Sequence, residues 1–277
     1  MGMITRLLLL AAMLLAFPFA AQAQAGNAFD HQHRAWTTLL ERHVHWNAAG
    51  TTTAVDYAGF ARDRKALATY LETLAAVPDA DYRRWSWPQR QAFLINAYNA
   101  ATVELVLTRH PKLDSIKDIG GLLGNPWKKA FVPLLGKTRS LDDIEHGLLR
   151  GAREYRDPRI HFAVNCASIG CPALRPEAFV AARLDAQLED QTTRFLRDRS
   201  RNRLETTADG RPTLALSSIF DWYGDDFKAG GGVAAFVARH ADAIGASPAQ
   251  VQALRADRVR LRFLDYDWAL NERANAK

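Results

Sequence analysis

The chain has 277 residues, of which 48% are hydrophobic, and its 36 Lys and Arg outweigh 30 Asp and Glu for a formal charge of +6. With seven Trp and thirteen Phe, this composition fills a core and excludes an intrinsically disordered chain. The basic residues are interleaved with acids along the chain. Their densest cluster, Arg194 to Arg203, falls late in an expected helix, where the helix dipole and solvation account for it, so nucleic-acid binding is not expected.

Residues 1–23 read as a cleavable signal peptide. Arg6 supplies the positive charge, Leu7 to Phe19 the apolar stretch and Ala21-Gln22-Ala23 a small-x-small cleavage site. The apolar run is shorter than the roughly 20 residues a spanning helix needs, and no later stretch is long enough. Residues 24–277 are therefore expected to form a single globular domain with no membrane span, in the periplasm or secreted.

In chain order, Asp30 caps a first expected helix to about Trp46, and a second runs over Tyr57 to Ala76, ended by Pro78. Ser86 with Pro88 opens a helix over Gln89 to Arg109 that is apolar almost all round, so it is expected to be central and buried. The Gly- and Pro-rich stretch Lys112 to Lys137 predicts an irregular segment with a short strand at Phe131 to Leu135. Ser140 caps a short helix to Arg150. Arg159 to Asn165 alternates like a strand, with Ile160, Phe162 and Val164 on one side and His161, Ala163 and Asn165 on the other.

Pro176 is expected to open a long helix to about Arg199. Two strands then flank Asp209-Gly210, a hairpin signal, and short helices follow from Ser217 or Ser218, Val233 and Ser247-Pro248. Val259 to Leu264 closes the chain as a strand. The pattern predicts an α+β fold: a mostly helical single domain with a small, mainly antiparallel sheet.

Three groups could carry chemistry. Asn96 and Asn99 share a face of the central helix; buried amides must be bonded, so they either bind substrate or pin a loop. Glu145-His146, with Arg150 one turn on, offers an imidazole beside an acid, and Asp142 four residues earlier is its better-placed partner. The strongest group is His161 to Pro172: an imidazole, the Asn165 amide and the Cys166 thiol arrive together, and Cys171 follows five positions later. A Cys beside a His can ionise near neutral pH and attack carbonyls or disulfides. Gly170 allows a close approach or a positive φ beside Cys171. In an oxidising compartment the two thiols could instead join. Zinc held by these cysteines and histidines is not expected, because the tight Cys-x2-Cys knuckle is absent.

The blocks Phe93 to Ala100, Leu141 to Gly147 and Asp157 to Pro172, with Ile219 to Tyr223 and Tyr266 to Asn271, resemble a family known as domain of unknown function 547. The resemblance covers about Val55 to Asn271 and implies no established activity. Plant members tend to carry Ser where Cys171 stands here, which implies that Cys166 is the reactive group.

The leading expectation is a cysteine-dependent hydrolase or acyl-transfer enzyme acting on an amide, ester or peptide bond in the cell envelope. Cys166 would be the nucleophile, His161 or His146 the base, and Glu145 or Asn165 the group that orients it. Asn96, Asn99, Tyr98 and Arg150 would bind substrate, with no cofactor and no metal. Papain- or transglutaminase-like enzymes are an analogy only, since both histidines precede the cysteine here. The alternatives are a noncatalytic binding or scaffold domain stapled by Cys166–Cys171, with an envelope protein as partner, and a thiol redox protein.

Overall fold

A computed structural model describes residues 29–121, 124–151, 157–206 and 212–273. The expected signal peptide and the Asp209-Gly210 turn lie outside them.

The N-terminal half is helical. Helix α1 (Arg34–His43) follows a turn in which the Asp30 carboxylate accepts from the Gln32 and Arg34 amides. It stops before Trp46 because Val44–Trp46 (β1) pairs antiparallel with Thr53–Val55 (β2). The helix expected over Tyr57 to Ala76 is two, α2 (Tyr57–Arg62) and α3 (Arg64–Ala75), broken at Asp63. A short turn of helix, α4 (Asp79–Tyr82), precedes α5 (Trp87–Leu107).

Helix α5 starts where Ser86 and Gln89 form a capping box with Pro88 in the first turn. It is buried from Gln91 to Val103 without a break, and so packs neighbours on every side. The segment after it is irregular. It contains a tight hairpin, Val132–Leu134 (β3) with Lys137–Arg139 (β4). Both turn residues, Leu135 and Gly136, have positive φ, of 54° and 73°, as a two-residue hairpin turn that follows strand twist requires. A leucine accepts that conformation because its side chain is buried, at 3% exposure.

Among the described residues one expected element is replaced and another starts late. Residues 158–162 form a 3-10 turn, not a strand: Asp157 caps it through the Arg159 amide, and Pro158 opens it. The alternation arose because Ile160 to Asn165 is buried throughout, with Phe162 in one apolar cluster and Ile160, Ala163 and Val164 in the other. Nor does a helix start at Pro176. The backbone stays irregular to Val180 because α5 and the following helix satisfy its polar groups. Asn96 bonds both the N–H and the C=O of Phe179, and Gln187 bonds Ala178 O and Val180 N. The helix α6 begins only at Leu184 and ends at Arg197.

The rest of the chain is a second, phenylalanine-rich unit of packing. Arg203–Thr206 (β5), Pro212–Ser217 (β6) and Arg260–Leu264 (β7) form a sheet in the order β5-β6-β7. β5 and β6 are antiparallel and β6 and β7 parallel, so among the described residues the β strands make three small, mostly antiparallel sheets and not one. Between β6 and β7 come α7 (Ile219–Trp222), α8 (Gly224–Phe227), α9 (Gly232–Arg239), α10 (Ala241–Ile244) and α11 (Pro248–Arg255). The architecture is α+β and mostly helical. One apolar cluster surrounds α5, and the other joins Phe162, Phe195, Phe220, Phe227 and Phe236. The segment 160–164 lies in the seam between them.

Candidate functional site

A cleft of about 220 Å³ opens at that seam. Its lining includes both cysteines, His146, His161, Glu145 and Tyr98 from the expected set, with Tyr223, Tyr266 and a wall of Trp127, Trp222 and Trp268.

Cys166 and Cys171 form a disulfide. Cys166 is half-buried and Cys171 buried. The Tyr266 hydroxyl lies 3.2 Å from the Cys166 sulfur and 3.1 Å from that of Cys171. Gly170 makes this contact possible by close approach, not by positive φ: a Cβ there would stand 2.9 Å from the Tyr266 ring. Arg201 donates to the Cys171 carbonyl and so fixes the far side of the loop. At Ala167, just after Cys166, φ is 63°, a left-handed conformation that costs a residue with a Cβ about 1–2 kcal/mol. The Asn165 carboxamide holds that turn by accepting from the Ala167 amide and donating to Pro172 O.

His161 is 2% exposed and stacks on Tyr223 with ring centroids 3.8 Å apart. Its Nε2 lies 2.7 Å from Oδ2 of Asp226. A carboxylate only accepts, so the neutral imidazole carries its proton on Nε2 and its lone pair on Nδ1. Among the described residues Nδ1 has no hydrogen-bond partner. Asp226 is held from its other side by Arg150, whose Nε and Nη2 donate at 2.7 and 2.9 Å. His161 first, and then Arg150 against the opposing effect of burial, hold the Asp226 carboxyl well below the usual range.

Glu145 and His146 lie on a π-helical turn, Asp143–Leu149, closed by the Arg150 amide donating to the Glu145 carbonyl. Glu145 is buried and accepts from the Tyr223 hydroxyl at 2.8 Å. Burial, followed by Glu145, raises the Tyr223 and Tyr98 hydroxyls far above their ordinary range, so both remain protonated donors. His146 is half-exposed; its Nδ1 lies 2.8 Å from Nη1 of Arg150, and its Nε2 3.6 Å from Asp142.

The remaining expected site residues are elsewhere. Asn96 and Asn99 pin loops: Asn96 bonds Phe179, and Asn99 takes the Ala163 carbonyl and the Asn165 amide. Neither lines the cleft, and both ends of each amide are taken by backbone groups. Asn165 bonds backbone and Asn271 and does not orient an imidazole. The group that does so is Asp226, which the sequence reading missed. In the run Asp225-Asp226 nothing distinguishes it from its neighbour, which pairs with Lys228 at the surface. Tyr223 and Tyr266 stand in blocks that carry the family resemblance, and only the fold brings them to the cleft. Among the described residues, no group of three or more His, Cys, Asp or Glu is placed to hold a metal ion.

Residues 82–196 match the family model described as "Protein of unknown function, DUF547". The match takes in the asparagines, Glu145, His146, His161 and both cysteines, but ends before Tyr223, Asp226 and Tyr266. No curated protein and no solved structure matches the chain.

Proposed function

We propose from the cleft that the chain, whose residues 82–196 match the DUF547 family model and whose matching family carries no activity in its description, is a cysteine-dependent hydrolase or acyl-transfer enzyme. It acts on an amide, ester or peptide bond in the cell envelope, reached through removal of residues 1–23, with 24–277 as one domain. The observation that carries this reading is a carboxylate-oriented imidazole, Asp226–His161, lining the same cleft as the Cys166 sulfur.

The disulfide is the resting form. A dithiol reductant of the envelope supplies two electrons and two protons and leaves as its own disulfide, freeing both thiols. His161 Nδ1 then takes the Cys166 proton, and the imidazolium that results is stabilised by Asp226. The thiolate attacks the carbonyl carbon, and the leaving amine or alcohol takes the proton back from His161 as the C–N or C–O bond breaks. Water or an acceptor amine, giving a proton to His161, then attacks the thioester; the C–S bond breaks, the Cys166 sulfur leaves and takes that proton, and the acid or new acyl product is released. Glu145 keeps Tyr223 under the His161 ring, and the tryptophan wall offers apolar faces to the substrate.

Alkylation of the reduced protein by iodoacetamide, mapped by mass spectrometry across pH, tests this. Cys166 should react with a midpoint clearly below the ordinary thiol value of about 8.5, and His161→Gln and Asp226→Asn should each return it toward that value. An unshifted midpoint in the unaltered protein, or a disulfide that resists reduction, overturns the proposal.

A second reading is thiol–disulfide exchange, favoured by the joined sulfurs and the Tyr266 hydroxyl they share. It predicts rapid turnover of a dithiol substrate that His161→Gln leaves largely intact.

A further inference from the structure

We infer that one ion pair assigns opposite duties to the two cleft histidines: Arg150 is a positioning residue that makes His146 a neutral hydrogen-bond donor toward the substrate carbonyl oxygen, while Asp226 keeps His161 as the base. This rests on the acyl-transfer reading above.

The argument is one of donors and acceptors. A guanidinium has only N–H groups to offer, so its 2.8 Å contact makes His146 Nδ1 an acceptor. The His146 proton is therefore on Nε2. The Asp142 carboxylate lies 3.6 Å from that atom, longer than a hydrogen bond, so a ligand in the cleft that both residues line can compete for the proton. At His161 the same logic runs through a carboxylate, which leaves the free atom, Nδ1, as an acceptor. Both imidazoles thus carry Nε2–H, but at His146 the atom without a hydrogen-bond partner is a donor and at His161 it is a lone pair.

Arg150 connects the two. Three of its nitrogens are committed, Nε and Nη2 to Asp226 and Nη1 to His146, a planar fork that a lysine ammonium cannot reproduce. The π-helical turn keeps Asp142, His146 and Arg150 in line at four-residue spacing, with Tyr223 beneath Arg150 at 5.0 Å. Arg150 itself does not line the cleft, so its effect on chemistry passes through the two rings.

As the thiolate adds to a carbonyl, negative charge builds on oxygen, and a pre-aimed neutral N–H stabilises it without giving up its proton. His146 fills that place. Its removal should therefore slow reactions that pass through an oxyanion and spare those that do not.

Two measurements on the reduced full-length chain test this. Nitrogen-15 NMR of the imidazoles should show His146 and His161 both as Nε2–H tautomers, and Arg150→Met should redistribute the His146 tautomer while leaving that of His161. A His146 proton on Nδ1 in the unaltered protein overturns the inference whether or not any substrate is turned over. The second measurement compares two reagents at Cys166. Acetylation by p-nitrophenyl acetate passes through an oxyanion, and alkylation by iodoacetamide does not. His146→Phe should slow acetylation about 100-fold and alkylation by less than about threefold. Equal loss in both, or in neither, defeats the donor role. Failure of the acyl-transfer reading itself is separate, since it shows as an unshifted alkylation midpoint.

Discussion

Asn96 and His161 are equally deprived of solvent, at 0% and 2% exposure, yet they sit in the molecule in opposite ways. Asn96 spends both ends of its amide on Phe179, and Asn99 does the same with Ala163 and Asn165. His161 spends one nitrogen on Asp226 and leaves the other buried and unpaired, in a residue that lines a cleft. Saturated buried polar groups specify a fold, because any loss leaves a partner stranded. A half-saturated one beside a cavity keeps capacity for a reaction.

The largest effect expected from this contrast is in stability. Asn99→Ala strands a buried carbonyl and a buried amide, each worth about 1–3 kcal/mol, and should destabilise the protein by about 3 kcal/mol in urea unfolding. His161→Gln should cost no more than about 1 kcal/mol, since Arg150 still holds Asp226. Equal losses in the two variants would erase the distinction between the regions.

His33 extends the comparison to another part of the molecule. It lines a second cavity with Phe29 and Trp85; its Nδ1 lies 2.7 Å from the Tyr70 hydroxyl and its Nε2 has no partner among the described residues. Burial, aided by His31, lowers its pKa to about 4. The unfolded chain takes a proton near pH 6.5, which folded His33 refuses until about pH 4, so stability falls as pH drops through that window and levels off below it. The loss from this residue is of the order of 3 kcal/mol. Asn keeps an acceptor for Tyr70 and suits the left-handed backbone, φ 49°. In His33→Asn, the difference between urea midpoints at pH 7 and pH 4.5 should shrink accordingly. An unchanged difference would mean that His33 does not titrate as its burial requires.

How much of this could be read in advance follows from the range of each interaction. Helix α5, the cleft cysteines and His161 were legible because caps, breakers and spacing are local signals. The 158–162 turn was misread because burial between two clusters imitates strand alternation, and nothing local reveals which cluster takes Phe162. The helix expected from Pro176 starts only at Leu184 for a non-local reason, since Asn96 lies 83 positions from the Phe179 groups it satisfies. Asp226 escaped notice because it meets His161 across 65 positions, and only the fold brings them together.

Gln91 is the case that presses hardest on the distinction between saturated and half-saturated groups. It is a buried amide on α5, at 0% exposure, and neither its oxygen nor its nitrogen has a partner among the described residues. Unlike His161 it lines neither the cleft nor the His33 cavity. Unpaired capacity is useful only where something can reach it; elsewhere it is desolvation without return. Replacing Gln91 by methionine, of similar length and flexibility, removes both unpaired atoms and adds little volume. Gln91→Met should therefore raise stability by about 1 kcal/mol in urea unfolding and leave the alkylation midpoint of Cys166 unmoved. Destabilisation instead would show that Gln91 belongs with Asn96 and Asn99, its partners being groups that the packing of α5 brings within reach.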